Sequence, residues 1–448
     1  MNLIRVRKGY NIKIGGQPSE ELLSISRPGK VAVVPERIPF IKPRLKVKQG
    51  DAVQIGSLLF EDKRRPFLKF LSPGGGTVAD IDIGHRRVIK KIVIRLDPDE
   101  RAVDFGFLSE SDLVAISRRD LVAKILEGGL WSLLRALPSR DIAPRDAEPP
   151  AIFVALDDLE PFQPDPSVYL QDQEPLFLFG LKVLRKLSSR VEVFARQATA
   201  GVLKKLNGHI TGQVAGRYPA DDPGVLLYAI RRSSTENQTW YIRGQDVLLL
   251  AHLLKHGNYP TRRTMVVGGN AAQKTGHVHA RLGMPLAAFR PFAADGMNTR
   301  WISGGVFQGY PTGPDSYMGL YETAITLIPE GLHREFLSFV RPGFNKPSYS
   351  RTFLSWFNSS QLPYDSNFHG GLRACIACGH CAKVCPVDIL PQLTFKAVLA
   401  EAVEEYLALG LMDCVECGLC SYVCPSKIEL SSILTAARRE YHQEQSQT

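Results

Sequence analysis

Eight cysteines carry the most specific chemistry in this 448-residue chain, and all of them lie between positions 375 and 424. They read Cys375-x2-Cys378-x2-Cys381-x3-Cys385-Pro386 and then Cys414-x2-Cys417-x2-Cys420-x3-Cys424-Pro425, one run repeated with the same internal spacing. Two-residue gaps let three thiolates take three corners of one iron–sulfur cubane, while the fourth cysteine, ahead of a turn-ending proline, points to a second cubane. By that cross-over, Cys375, Cys378, Cys381 and Cys424 hold one [4Fe–4S] cluster, and Cys414, Cys417, Cys420 and Cys385 hold the other. The competing readings explain less. A zinc ribbon uses two C-x2-C pairs and leaves Cys381, Cys385, Cys420 and Cys424 without a role. A disulfide framework belongs to short secreted chains. A degenerate site that no longer holds metal is the remaining alternative. Clusters of this kind transfer electrons one at a time and do not themselves make or break bonds.

Thiols at this spacing need helices to hold them. Leu393, Val398, Val403 and Leu407 predict a helix within residues 390–411, and a second is predicted from Glu429 to about Tyr441. Gly379 and Gly418 fall between ligands, where backbone must pass close to sulfide. Upstream, residues 40–96 alternate like strands, with turns at Gln49-Gly50-Asp51, Gly56, Ser72-Pro-Gly-Gly-Gly76 and Gly84. Their order resembles the barrel-sandwich hybrid of lipoyl and biotinyl carriers. Lys63 stands near the carrier-lysine position, but Arg64, Arg65 and Pro66 follow it, so a solvated turn lysine is expected. Residues 109–137 read as helices, with N-cap chemistry at Ser109 and a Gly128-Gly129-Leu130-Trp131 interruption in which a buried Trp is expected to close a helix–turn–helix. The four prolines of residues 138–150 suggest a linker.

Beyond it, strands at 152–156 and 191–195 and helices at 171–187 and 199–206 alternate as in a doubly wound sheet. The first turn, Asp157-Asp-Leu-Glu-Pro161, is acidic and lacks G-x-G-x-x-G, so no dinucleotide site is expected there. Residues 264–289 read as two strands and a short helix, as in a β-grasp module. His277 and His279 share a strand face, and with no acidic or thiol ligand beside them they are expected at the surface or facing a partner. The glycine-rich turn Ser303-Gly-Gly-Val-Phe-Gln-Gly309 is expected to be loop.

Apolar residues make up 44% of the chain and charged residues 22%, the composition of a folded multidomain protein. The strongest apolar run, Val247 to Leu254, is too short to span a bilayer. The first residues lack the apolar core of a secretory signal, which points to the cytoplasm. Net charge is +10, spread along the chain, which suits an acidic partner or an anionic membrane face better than nucleic acid.

Phe60-Glu-Asp-Lys63 with Ser72-Pro73, Gly128-Gly-Leu-Trp131, Gly216-Arg-Tyr-Pro-Ala220, Ser303-Gly-Gly305 and Cys420-Ser-Tyr-Val-Cys-Pro-Ser-Lys-Ile-Glu429, in this order, resemble the A subunits of the sodium-translocating NADH:quinone reductases (NQR). The resemblance implies a peripheral subunit on the cytoplasmic face of the bacterial inner membrane, in a complex that passes electrons from NADH to ubiquinone and exports Na⁺. It implies integral-membrane and flavin-carrying partner subunits, with NADH and flavin bound on them rather than here. Familiar members keep only remnants of the second cysteine motif, whereas both are present here, as in the C subunit of Rnf-type complexes. The expected fold is multidomain α+β and α/β: a barrel-sandwich hybrid at residues 1–100, a helical segment and linker at 101–150, a Rossmann-like unit at 151–260, a β-grasp (SLBB-like) unit at 261–365, and a helical ferredoxin-like domain with two [4Fe–4S] clusters at 366–448. The expected function is a two-cluster relay in NADH:quinone reduction coupled to Na⁺ export. The alternatives are an Rnf-type C subunit that oxidises NADH through a flavin bound between residues 125 and 220, and a non-redox docking subunit.

Overall fold

A computed structural model describes residues 2–445 except 207, 333–336, 338 and 339. At its centre is a seven-stranded sheet in the order Asn2–Arg5, Gly212–Ala215, Val191–Arg196, Ile152–Ala155, Trp240–Arg243, Arg135–Ala136, Asp141–Ile142. The first five strands run parallel and the last two are antiparallel additions. Strand Ile152–Ala155 is buried on both faces, and its alternate residues enter different cores. Ile152 and Val154 pack with helices Glu174–Leu187 and Gly244–His256, while Phe153 packs with Leu226 and Leu227 of helix Pro223–Ile230. That two-sided burial explains why the strand reads as a continuous apolar run.

The two helices on the first face cross closely because Gly180 has no side chain. A Cβ there would lie 2.5 Å from Val247 Cγ1 and 3.0 Å from the Val247 carbonyl.

The barrel is formed by a four-stranded sheet, in the order Lys30–Val33, Ile89–Leu96, Gly76–Ile83, Ala52–Val53, and a three-stranded one, Pro43–Leu45, Leu58–Asp62, Lys69–Leu71. Lys63 is exposed in the loop after Asp62. A fourth, six-stranded sheet contains Arg262–Gly268 and Gly276–Arg281, the two strands expected after residue 261.

Several expectations need correcting. Two N-terminal segments pair with strands outside the barrel sheets: Asn2–Arg5 with Gly212–Ala215, and Leu22–Leu23 with His277 and Val278. These segments are short edge additions whose partners lie over 200 residues away in sequence, so local alternation carries no sign of them. Residues 138–150 are no free linker. Trp131 Nε1 donates to the Ala143 carbonyl at 2.7 Å, and buried Arg140 pairs with Asp222 at 2.6 Å. Proline fixes φ, and here the fixed turns return the chain to the sheet edge.

His277 is buried rather than at the surface. Its Nε2 accepts from the Asp165 N–H at 2.9 Å and its Nδ1 lies 2.8 Å from the Ser19 carbonyl, while His279 is exposed. The helix expected across 390–411 is two, Pro391–Leu399 and Val403–Ala408, separated by Glu401 at φ 53°. Trp131 is buried edge-to-face on Trp240 at 5.8 Å, and Gly129 lets the turn approach Leu71 of the barrel.

Gly180→Ala raises helix propensity but forces a Cβ into Val247, and overpacking outweighs propensity here. We expect a loss of about 1–3 kcal/mol in urea unfolding. A variant as stable as wild type would show that the helix pair has room to spare.

Candidate iron–sulfur centre

The duplication seen in the cysteines extends to the backbone. Ala377 and Glu416, Gly379 and Gly418, and Asp388 and Lys427 form three pairs at matching places in the two motifs, and all six have left-handed φ between 53° and 75°. Each motif therefore makes the same loop. A left-handed residue sits inside the first C-x2-C, and a left-handed glycine then starts a short helix, His380–Val384 or Leu419–Tyr422, that carries the third cysteine. The four non-glycine residues held at positive φ mark a conformation the fold imposes against local preference. The loops turn backbone N–H groups toward sulfur: Glu416 toward Cys414, Leu419 toward Cys417, and Val387 and Ile389 toward Cys385.

One cavity is lined by Cys385, Cys414, Cys417 and Cys420, with Val387, Ile389, Val415 and Leu434 around them. Three of these thiols come from the second motif and one from the first. Burial pushes the Cys385 thiol up to about 11 and raises Cys414, Cys417 and Cys420 as well, with neighbouring thiols adding to it at Cys385, Cys417 and Cys420. Four desolvated thiols around one hole, served by N–H donors, suit a cubane: metal binding displaces the protons that burial otherwise retains.

The remaining four cysteines range from exposed to buried. Cys378 is exposed, Cys375 and Cys424 are half-buried, and Cys381 is buried, its Sγ 3.1 Å from Gln392 Oε1. All eight are free of disulfides. Among the described residues no group of three or more His, Cys, Asp or Glu is arranged to hold a single metal ion.

The surroundings contain residues that spacing alone did not reveal. Tyr218, in the Gly216–Ala220 turn, donates from its hydroxyl to the Cys417 carbonyl at 2.9 Å. Gln308 Nε2 donates to the same hydroxyl at 3.1 Å, and the Phe307 ring stacks on Tyr218 at 5.0 Å. Glu160 fixes that loop by accepting from the Phe307 and Gln308 N–H groups at 2.8 and 2.6 Å. The glycine-rich turn thus serves Glu160: a Cβ on Gly305 would lie 2.3 Å from the Glu160 carboxyl carbon. Burial, then the nearby Asp158, pushes the Glu160 pKa up to about 8. In the same acidic turn, Asp157 accepts from the Arg196 N–H and from the Thr199 hydroxyl, so an internal carboxylate occupies the start of the following helix.

On the far side, buried Arg438 of helix Leu430–Gln445 bonds Glu416 and donates to the Pro138 carbonyl at 2.7 Å. Burial works to raise the Glu416 carboxyl pKa, but Arg438 and Arg439 outweigh it and hold it below the usual carboxylate range.

Residues 4–97 match the NqrA N-terminal barrel-sandwich hybrid domain, residues 116–259 the NqrA second alpha/beta domain, and residues 372–428 the 4Fe-4S dicluster domain. The A subunit of the Na(+)-translocating NADH-quinone reductase of Neisseria meningitidis serogroup B is 32% identical over 411 residues, covering 91% of this chain and 92% of that protein. Its counterpart from Pasteurella multocida is 30% identical over 410 residues, with the same coverage. The chain belongs to the NqrA family, the A subunits of Na(+)-translocating NADH-quinone reductases. This NqrA family member combines the barrel-sandwich domain with a C-terminal 4Fe–4S domain, and no helix among its described residues is long and apolar enough to cross a membrane.

Glu416→Gln leaves Arg438 buried with one neutral partner and should destabilise helix Leu430–Gln445 by about 3 kcal/mol, read as hydrogen exchange of its amides. Because the folded pKa is depressed, the Glu416 contribution is complete above its unfolded pKa of about 4.3 and is lost as pH falls through the lower folded value. The difference between wild type and variant should therefore shrink in acid. A difference that persists there would mean the carboxylate charge is not what holds Arg438.

Proposed function

We propose that this chain is a peripheral electron-transfer subunit of a Na⁺-translocating NADH:quinone reductase, on the cytoplasmic face of the bacterial inner membrane. In this reading Cys375, Cys378, Cys381 and Cys424 hold one [4Fe–4S] cluster, and Cys414, Cys417, Cys420 and Cys385 hold the second. The observation that carries it is the cavity lined by Cys385 from one motif together with three thiols of the other. Family membership supports the complex, and the dicluster match supports the cofactor.

When bound, the clusters supply one-electron transfer and nothing at hydride level. NADH therefore gives its electron pair to a flavin, which we assign to a partner subunit, and ubiquinone is the final acceptor. The Na⁺ path belongs to integral-membrane partners, since a charged pathway needs spanning segments around it. The chain's own residues hold the thiols apart, aim N–H groups at them, and keep water from the inner set with Val387, Ile389, Val415 and Leu434.

We assign the parallel sheet within residues 151–260 as Rossmann-like and the six-stranded sheet around residues 261–365 as a β-grasp (SLBB-like) unit. With the barrel of residues 1–100 and the segment at 101–150, these form the platform for the domain at 366–448.

Anaerobically isolated protein should contain about eight iron and eight sulfide per chain. Cys385→Ala and Cys417→Ala should remove the same electron paramagnetic resonance signal after reduction, and Cys378→Ala and Cys424→Ala the other. Pairing of Cys385 with Cys378 would replace the cross-over with one cluster per motif. Iron near zero would remove the relay.

A further inference from the structure

A cavity of about 740 Å³ opens beside the first cysteine motif, lined by segments distant in sequence: 7–10, Arg217, 349–352 with Trp356, and helix His380–Val384. Arg7, Arg217, Arg351 and Lys383 reach it from these four segments. None of them has a carboxylate within ion-pair distance among the described residues, and no Asp or Glu lines the cavity. Lys8 differs, being paired with Asp388 at 2.6 Å.

Aromatic rings form the rest of the wall. Tyr349 stands edge-on to both Tyr10 and His380, each at 5.2 Å, and the Arg351 guanidinium lies 4.4 Å from the centre of the Trp356 ring. Four like charges in one concavity repel one another, and an anion relieves that repulsion. Three of the four are arginines, whose planar fork fits phosphate in two-pronged fashion. The rings add faces and edges on which a planar group can stack. The volume falls in the range of small-molecule sites.

We propose that this cavity binds a ligand in which a planar ring is joined to a phosphate group. Neither the NqrA match nor the cluster ligation assigns this site, and its recognition chemistry differs from that for an uncharged quinone. The position is functional in one respect: helix His380–Val384 presents His380 and Lys383 to the cavity and carries Cys381. A bound anion therefore lies one short helix away from a thiol of the outer set.

The test is calorimetric titration of the full chain, isolated anaerobically, with AMP, FMN, riboflavin and inorganic phosphate in turn. AMP or FMN should bind, and bind more tightly than riboflavin or inorganic phosphate, with affinity falling as salt is raised. The stronger of the two distinguishes a nucleotide from a flavin. The double variant R7Q/R351Q should weaken binding about tenfold or more, and K383Q by a smaller factor, because charge-assisted contacts to phosphate are lost. Arg119→Gln, on helix Arg118–Glu127, should leave it unchanged. Circular dichroism checks that each variant is folded.

The proposal is overturned if neither AMP nor FMN binds at millimolar concentration, or if folded R7Q/R351Q and K383Q both bind as wild type does. It is equally overturned if inorganic phosphate binds as tightly as either ring phosphate, or if the only anion bound is the surface of vesicles made with acidic phospholipid.

Discussion

Four half-buried thiols around one hole are the constraint on which the C-terminal domain turns. A protonated thiol in an apolar site is a small hydrophobe, but a cluster of four lining a cavity leaves unfilled volume and sulfur with nothing to pack against. Ionising them there without a cation is costly, as the raised pKa values of Cys385, Cys414, Cys417 and Cys420 express. Both costs disappear when metal fills the space and takes the protons' place. Because Cys385 comes from the first motif, filling the cavity also ties the two motifs together. The inner site thereby closes the loop formed by helices Pro391–Leu399 and Val403–Ala408.

The domain has a core of its own around Phe395, Leu411, Leu419, Leu430 and Leu434, and bonds to the rest of the chain set its orientation. Two sets of these bonds meet at the second motif, besides the Arg231–Asp413, Lys8–Asp388 and His442–Asp141 contacts elsewhere. Tyr218 reaches the Cys417 carbonyl while its ring is stacked on Phe307, and Phe307 is held in turn by Glu160. Arg438 links the last helix both to the Cys414–Cys417 loop through Glu416 and to Pro138 at the sheet edge. Anchors from separate sheets and turns thus meet within the same few residues of the second motif. The first motif has a different setting. Its exposed Cys378 and its Ile376, 68% exposed, leave that end open to solvent or to a partner.

The legible parts of the sequence were those whose physics is local. Cysteine spacing, the alternation of strands 152–155 and 191–196 with helices 174–187 and 197–202, and the capping box at Ser109 and Asp112 depend on neighbours within a turn or two. What stayed hidden depends on partners far along the chain. Asn2–Arg5 is a strand because Gly212–Ala215 offers it a free edge, and His277 is buried because residues 19 and 165 come to it. The prolines of 138–150 signal restricted backbone, and restriction serves a tight return to the sheet as readily as it serves a spacer. Glu160 is the instructive case: an acidic turn at a strand's end argues against phosphate, but nothing nearby in sequence shows that its carboxylate receives two N–H groups from residues 307 and 308.

Charge is divided unevenly around the cysteines, and the division bears on electron transfer whatever fills the cavity. Arg438 and Arg140 favour negative charge at Cys414, while Glu416, held ionised by the same arginines, opposes it. The net field at the inner set is therefore a balance of nearby opposed charges, and removing any one of them shifts it. The outer set, at Cys378, faces solvent that screens such changes, with the basic cavity of Arg7, Arg217, Arg351 and Lys383 to one side. Occupation of that cavity by an anion would alter the field at the outer set more than at the inner one. Two sites of identical ligand spacing are in this way given different electrostatic surroundings, which is the condition under which a pair of like centres acquires a direction.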